Sequence, residues 1–170
     1  ERFPDGQLYV DLQGFSPNDP LPTGVALGGF LRALGEDTST IPGDLAERAG
    51  WFRTLTAQKR VLVVLDNAAT AEQVRPLLPG GASCFVVVTS RDALSGLTIG
   101  QGAFRLDVER MSPQEAHDLV RAWVPHSSAD QALVAQLIEH CARLPLALRV
   151  IAERLRARNS HDIPSLVADL

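Results

Sequence analysis

The sequence predicts an α/β fold, a doubly wound parallel sheet followed by a small helical subdomain, and three observations predict it. Two runs, Val61-Leu62-Val63-Val64-Leu65 and Phe85-Val86-Val87-Val88, are continuously apolar, the pattern of central strands covered on both faces of a parallel sheet. Helical spacings, each with its own start, separate the strands up to about Val108. Such alternation argues for right-handed βαβ winding. Beyond that point the apolar residues fall at intervals of three and four only, which marks helices. The expected division is 1–109 for the α/β part and 110–170 for the helical part.

The elements follow in chain order. Gln7 to Leu12 alternates, with Leu8, Val10 and Leu12 facing one way, which suits a sheet edge. A helix over Val25 to Leu34 places Leu27, Phe30, Leu31 and Leu34 on one face and stops at Gly35, a residue suited to end a helix. Asp44 caps the next, whose apolar face is Leu45, Ala49, Phe52 and Leu55, with Glu47 at the capping-box position. After the Val61 strand, Thr70 repeats the device with Gln73 for Val74 and Leu77. Phe104 to Val108 alternates again, with Phe104, Leu106 and Val108 on one side. The stretch from Ser90 to Ala103 is long enough for a parallel crossover. That length permits either an open slot, with Cys84–Thr89 and Phe104–Val108 about 10 Å apart, or their direct pairing at about 4.8 Å; the expected sheet is the closed one, ordered Gln7–Leu12, Val61–Leu65, Cys84–Thr89, Phe104–Val108.

The helical part opens on Ser112-Pro113-Gln114-Glu115, a serine cap, a proline in the first turn and a glutamate closing the box. Ala116, Leu119, Val120 and Trp123 form its face. A second helix is expected from near Ser128 with Leu133, Leu137 and Cys141, a third from Pro145 with Leu148, Ile151 and Leu155, and a fourth from Asp162 or Pro164.

Composition narrows the function classes. With 170 residues and 45% hydrophobic content the chain can bury a sizeable core. A formal charge of −4 argues against direct nucleic-acid contact by this segment, which would call for a basic face. The two cysteines, Cys84 and Cys141, sit in apolar runs and read as buried thiols of a reduced, cytoplasmic protein. Apolar stretches end well short of the roughly 20 residues a membrane span needs. His117, His126, His140 and His161 lack ligand spacing, and Ser90 lacks a hydrolase elbow. Arg154, Arg156 and Arg158 suit the dipole at a helix's carboxyl end. The chain opens on Glu1 rather than Met, as an excised piece would.

Asp66 and Asn67 follow a buried strand directly, at the carboxyl end where open α/β sheets bind ligands. That is the position of a Walker B acid, which holds Mg²⁺, usually through water. The bland alternative is that Asp66 caps the turn into the Thr70 helix. The next strand sends Thr89, Ser90 and Arg91 from the same edge. A planar guanidinium there suits a terminal phosphate; its bland alternative is a surface ion pair with Asp92 or Asp66. A third motif, Cys141-Ala142-Arg143-Leu144-Pro145-Leu146-Ala147-Leu148, joins two helices, and proline at a first helical turn needs no functional reason.

Together, in this order and spacing, these motifs resemble the NB-ARC domain of STAND-type P-loop ATPases, in particular that of actinobacterial antibiotic regulatory proteins. The opening Arg2-Phe3-Pro4-Asp5-Gly6-Gln7-Leu8-Tyr9-Val10-Asp11-Leu12 and Asn67-Ala68 are similar to the same group. The resemblance implies that Asp66 holds Mg²⁺, that Arg91 senses the γ-phosphate beside Thr89 and Ser90, and that Leu144 and Pro145 pack on adenine. Asn67 stands where many such ATPases carry a second acid, and an amide cannot accept a proton, so at most slow ATP hydrolysis is expected. Arg143 stands where the family has glycine. A Walker A loop, Gly-x-x-x-x-Gly-Lys-Ser/Thr, is not in the chain, whose single lysine is Lys59. In the family that loop and its strand precede the Arg-Phe-Pro-Asp segment and a DNA-binding domain lies further upstream. The resemblance therefore implies an ATP or ADP switch with Mg²⁺ in an intact parent and no tightly bound nucleotide in this piece. The alternative function is a nucleotide-independent protein-interaction module on the same scaffold, which binds a protein partner or self-associates.

Overall fold

The computed structural model describes residues 2–123 and 131–157. Its fold is α/β, in two compact units, Glu1–Arg105 and Leu106–Leu170. The expected helix start near Ser128, the side chains of Leu133, Leu155 and Arg156, and the stretch holding Arg158, Asp162 and Pro164 lie outside the described residues.

In the first unit three parallel strands, β1 (Gln7–Asp11), β2 (Leu62–Asp66) and β3 (Phe85–Val88), form one sheet in the order β1-β2-β3. Helices α1 (Thr23–Ala33) and α2 (Leu45–Thr56) lie in the β1–β2 connection; α3 (Ala71–Val74) and a 3-10 turn over Arg75–Leu77 lie in the β2–β3 connection. Register sets Leu8 beside Val63 and Val63 beside Val86. One sheet face thus carries Leu8, Val10, Leu12, Val61, Val63, Leu65, Val86 and Val88, and all of them pack into the cluster that holds Leu27, Phe30, Leu31, Phe52, Val74 and Leu77. Phe52 is fully buried and meets Phe30 at 5.7 Å between ring centroids. Truncating such a ring to alanine typically costs about 3–5 kcal/mol.

Local chemistry explains where the helices begin and end. Asp44 accepts from the Glu47 backbone N–H at 2.9 Å, and Thr70 Oγ1 accepts from Gln73 N–H at 3.2 Å. Gln73 does more than close a box: its Oε1 accepts from Ala69 N at 2.9 Å, and its Nε2 donates to the carbonyls of Leu12 at 3.0 Å and Leu21 at 3.1 Å. The α3 cap is thereby tied to the chain leaving β1. Helix α1 ends in a Schellman turn, with Glu36 N donating to Leu31 O and Gly35 N to Arg32 O, both at 3.0 Å. Gly35 adopts φ +100° there, a region glycine enters at little cost. Thr56, buried at the end of α2, donates to Phe52 O at 2.7 Å and accepts from Gly80 N at 3.0 Å.

Two expectations are corrected. Phe104–Val108 is not a strand and makes no ladder with β3; Phe104, Leu106 and Val108 are 92%, 78% and 93% exposed. Alternation alone does not make a strand where neither a paired edge nor a covering layer is supplied. Nor is β3 a central strand buried on both sides. It is an edge, and the face it shares with Tyr9 leaves Tyr9, Phe85 and Val87 exposed. A further helix, α4 (Ser95–Gln101), occupies the stretch read as plain connection and buries Leu97 in the core.

The second unit holds α5 (Pro113–Trp123), α6 (Gln131–His140) and α7 (Pro145–Ala157). Its start is a reciprocal capping box: Ser112 Oγ accepts from Glu115 N at 3.2 Å, and Glu115 Oε2 accepts from Ser112 N at 2.8 Å. The core is separate, built from Ala116, Val120, Leu137, Ile138, Cys141, Leu148 and Ile151. No helix among the described residues is long and apolar enough to cross a membrane.

Candidate functional site

The carboxyl ends of the three strands gather the polar residues. Strand β2 ends where Asn67 takes φ +56°, a left-handed conformation that asparagine tolerates better than most side chains. Asp11 and Asp66 are register partners there. The Asp66 carbonyl accepts from Leu12 N at 2.8 Å, which locks the end of β2 to β1. Its carboxylate is held from both sides: Oδ2 accepts from the Tyr9 hydroxyl at 3.2 Å, and Oδ1 accepts from the Thr89 hydroxyl. Thr89 Oγ1 in turn accepts from Asn67 N at 2.9 Å. Asp66 is therefore not the cap of α3, a role Thr70 fills.

Asn67 organises the loop after β1. Its Nδ2 lies 3.4 Å from both Asp11 Oδ1 and Ser16 Oγ, and its Oδ1 accepts from Phe15 N at 3.3 Å. The Asn67 carbonyl accepts from Gly14 N at 2.7 Å. Gly14 sits so close to this turn that an added Cβ would lie 2.3 Å from Ala69 N and 2.6 Å from Asn67 O. Gln13 before it takes φ +55°, and Asp11 Oδ1 accepts from Gln13 N at 2.8 Å.

Arg91 reaches the same loop. Its guanidinium carbon lies 5.5 Å from the centre of the Phe15 ring, a cation–π contact worth about 0.5–1 kcal/mol when exposed. Ser90 is engaged by backbone: it donates to Ala68 O at 2.7 Å and accepts from Asp92 N at 2.9 Å. Partial desolvation, and then the Asp66 carboxylate beside it, push the Tyr9 phenol above its ordinary value. The hydroxyl thus remains a donor across the neutral range.

Of the residues singled out by sequence, Asp66, Asn67, Thr89, Ser90 and Arg91 meet at one strand edge. Leu144 and Pro145 belong to the helical unit. There α6 closes in a Schellman turn, with Arg143 N donating to Ile138 O at 3.2 Å and Ala142 N to Glu139 O at 2.9 Å. Ala142 and Arg143 both take left-handed φ, +49° and +55°. Leu144 is exposed, and Pro145 opens α7. Burial pushes the Cys141 thiol up.

Sequence reasoning missed Tyr9, Asp11, Phe15 and Ser16 as members of the cluster. The parallel register sets Asp11 beside Asp66 and Tyr9 two residues before it, whereas Phe15 and Ser16 lie beyond the paired strand and are brought in by Asn67. Among the described residues no group of three or more His, Cys, Asp or Glu could hold a metal ion by itself. A cation at Asp66 would take most of its shell from water and ligand oxygens, and this is how Mg²⁺ is usually held by one or two carboxylates.

Fold and strand-end cluster together define an α/β domain compatible with the P-loop type of architecture. The particular kinship is to bacterial regulatory proteins: the chain is 44% identical over 171 residues to Regulatory protein AfsR of Streptomyces griseus and 44% identical over 170 residues to that of Streptomyces coelicolor, in each case across 99% of this chain. The chain is homologous to a segment of these proteins and spans 17% of their length. A more distant similarity, 30% over 112 residues, covers 59% of this chain and 13% of Probable disease resistance protein At1g59620 of Arabidopsis thaliana. No family model matches the chain.

Proposed function

We propose that this chain is the larger part of an NB-ARC-type nucleotide switch within a longer regulator of transcription. The observation that carries the reading is the Asp66 carboxylate, fixed at the end of β2 beside the Thr89-Ser90-Arg91 edge of the sheet. Similarity to regulatory proteins over almost the whole chain supports the regulatory half of the proposal. Asp66 would hold Mg²⁺ through water, and the ion would offset charge on the β- and γ-phosphates. Arg91 would leave the Phe15 ring for the terminal phosphate. A contact present with ATP and lost with ADP gives the differential affinity that any ligand switch requires. Thr89 and Ser90 line the same edge, and Leu144 with Pro145 would pack on adenine.

The phosphate-cradling loop and its strand would come from polypeptide preceding Arg2. That strand would cover the open edge of β3 and, with a following helix, complete a doubly wound sheet. A DNA-binding domain would lie elsewhere in the same polypeptide. Hydrolysis is slow at most, because Asn67 cannot act as a base and its amide is engaged by Asp11 and Ser16.

A second reading, a nucleotide-independent interaction module, is favoured by the open β3 edge and its exposed Phe85 and Val87. The two separate on one variant of the intact protein. Arg91→Ala should narrow the ATP-over-ADP preference by about 10- to 100-fold, the loss of a charge-assisted phosphate contact. An unchanged preference, measured by calorimetry, removes Arg91 from the sensor role.

A further inference from the structure

Strand β1 contributes a residue to Asp66 that neither motif reading nor similarity assigns. Tyr9 stands in register with Val64, two residues before Asp66 on the neighbouring strand, so its side chain must lean along the strand toward the carboxyl end to bring its hydroxyl 3.2 Å from Asp66 Oδ2. The ring is 65% exposed, and burial of apolar surface therefore accounts for little of its placement. On the other flank the Thr89 hydroxyl, just beyond β3, takes Oδ1. The carboxylate of the middle strand is thus pinned by one donor from each neighbouring strand.

The chemistry of the donors matters as much as their number. Lysine or arginine in place of Tyr9 would orient the carboxylate but offset its charge, and a cation would then bind less well. Two neutral hydroxyls fix the plane and leave the full negative charge. Each carboxylate oxygen can accept more than one hydrogen bond, so lone pairs remain for a hydrated ion. Partners of this kind around a ligating group typically tune metal affinity by about 10- to 100-fold.

We infer that Tyr9 is a positioning residue: its hydroxyl, with that of Thr89, holds the Asp66 carboxylate in the orientation that receives the cation. The inference rests on the reading of Asp66 as the Mg²⁺ acid. Tyr9→Phe tests it, since the variant keeps the ring and removes only the hydroxyl. ATP is titrated calorimetrically into the intact protein, once with Mg²⁺ and once with excess EDTA. The expected result is that Tyr9→Phe loses about 10-fold of the affinity gained with Mg²⁺, with the EDTA affinity and the melting temperature of the unliganded protein unchanged. An undiminished Mg²⁺ gain overturns the inference and leaves the nucleotide reading standing. An equal loss with and without Mg²⁺ also overturns it, because it signifies a general structural role. A wild-type protein with no Mg²⁺ gain at all sinks the nucleotide reading itself, and this inference with it.

Discussion

Gly14 and Asn67 decide the geometry of the strand-end cluster. Asn67 accepts a left-handed backbone and uses its amide to fasten the loop after β1, while Gly14 allows that loop to lie against the Asn67–Ala69 backbone. The atoms an added methyl would meet are backbone atoms, which cannot rotate away. Gly14→Ala should therefore cost about 1–3 kcal/mol, measured as a fall in melting temperature, and should disturb the Arg91–Phe15 contact. An unchanged melting temperature would show the loop to be free to move. Arg143 presents the opposite case. It holds φ +55° without being glycine, and its Nε is buried without a hydrogen-bond partner among the described residues. Arg143→Gly should stabilise the helical unit by about 1 kcal/mol in denaturant unfolding; destabilisation would mean that its 3.7 Å ion pair with Glu139 matters more than the strain. Asp66 and Thr89 were legible as strand-end residues because each follows an apolar run directly, and Arg91 because it lies two residues beyond Thr89. Tyr9 and Asp11 were not, since a polar residue in an alternating strand reads as ordinary solvent-facing surface until register shows what stands opposite.

Among the elements, those with a cap written in the sequence were found where expected. Asp44, Thr70 and Ser112 each accept the predicted backbone N–H. Ser112→Ala should cost the second unit about 1 kcal/mol near neutral pH. The reciprocal bond carries a pH dependence. The Ser112 hydroxyl, and then its backbone N–H, hold the Glu115 carboxyl below its ordinary value of 4.5. A depressed folded-state value stabilises above the unfolded-state value and is lost as pH falls through the folded one. Glu115→Gln should therefore destabilise at neutral pH and converge on the wild type as the pH falls through the lowered folded-state value, as followed by urea unfolding. A constant difference across that range would exclude the charged cap. Helix α4 escaped detection because Ser95-Gly96-Leu97-Thr98-Ile99-Gly100 is poor in helix formers. It is held by Leu97 in the core and by Asp92 Oδ1 accepting from Leu94 N at 2.8 Å. Phe104–Val108 erred in the other direction, a strand pattern that joins no ladder of the β1-β2-β3 sheet.

At the scale of the whole molecule, the sequence conveyed the α/β class, the parallel pairing and a separate helical part. It overstated the sheet. Continuous apolar runs were read as burial on both faces, whereas only the parity carrying Leu8, Val63 and Val86 packs into the core. The open face and the β3 edge are consistent with a segment whose relatives are several times longer. On the proposed reading the 170 residues alone lack most phosphate contacts, so this chain should bind ATP weakly or undetectably in calorimetry. Micromolar affinity would contradict that. The most direct test of the switch uses the intact protein and a single side chain: ATP is titrated with and without Mg²⁺ into wild type and Asp66→Ala. The account predicts an affinity gain with Mg²⁺ in the wild type that Asp66→Ala abolishes; an equal gain in both, or no ATP binding by the wild type, would contradict it.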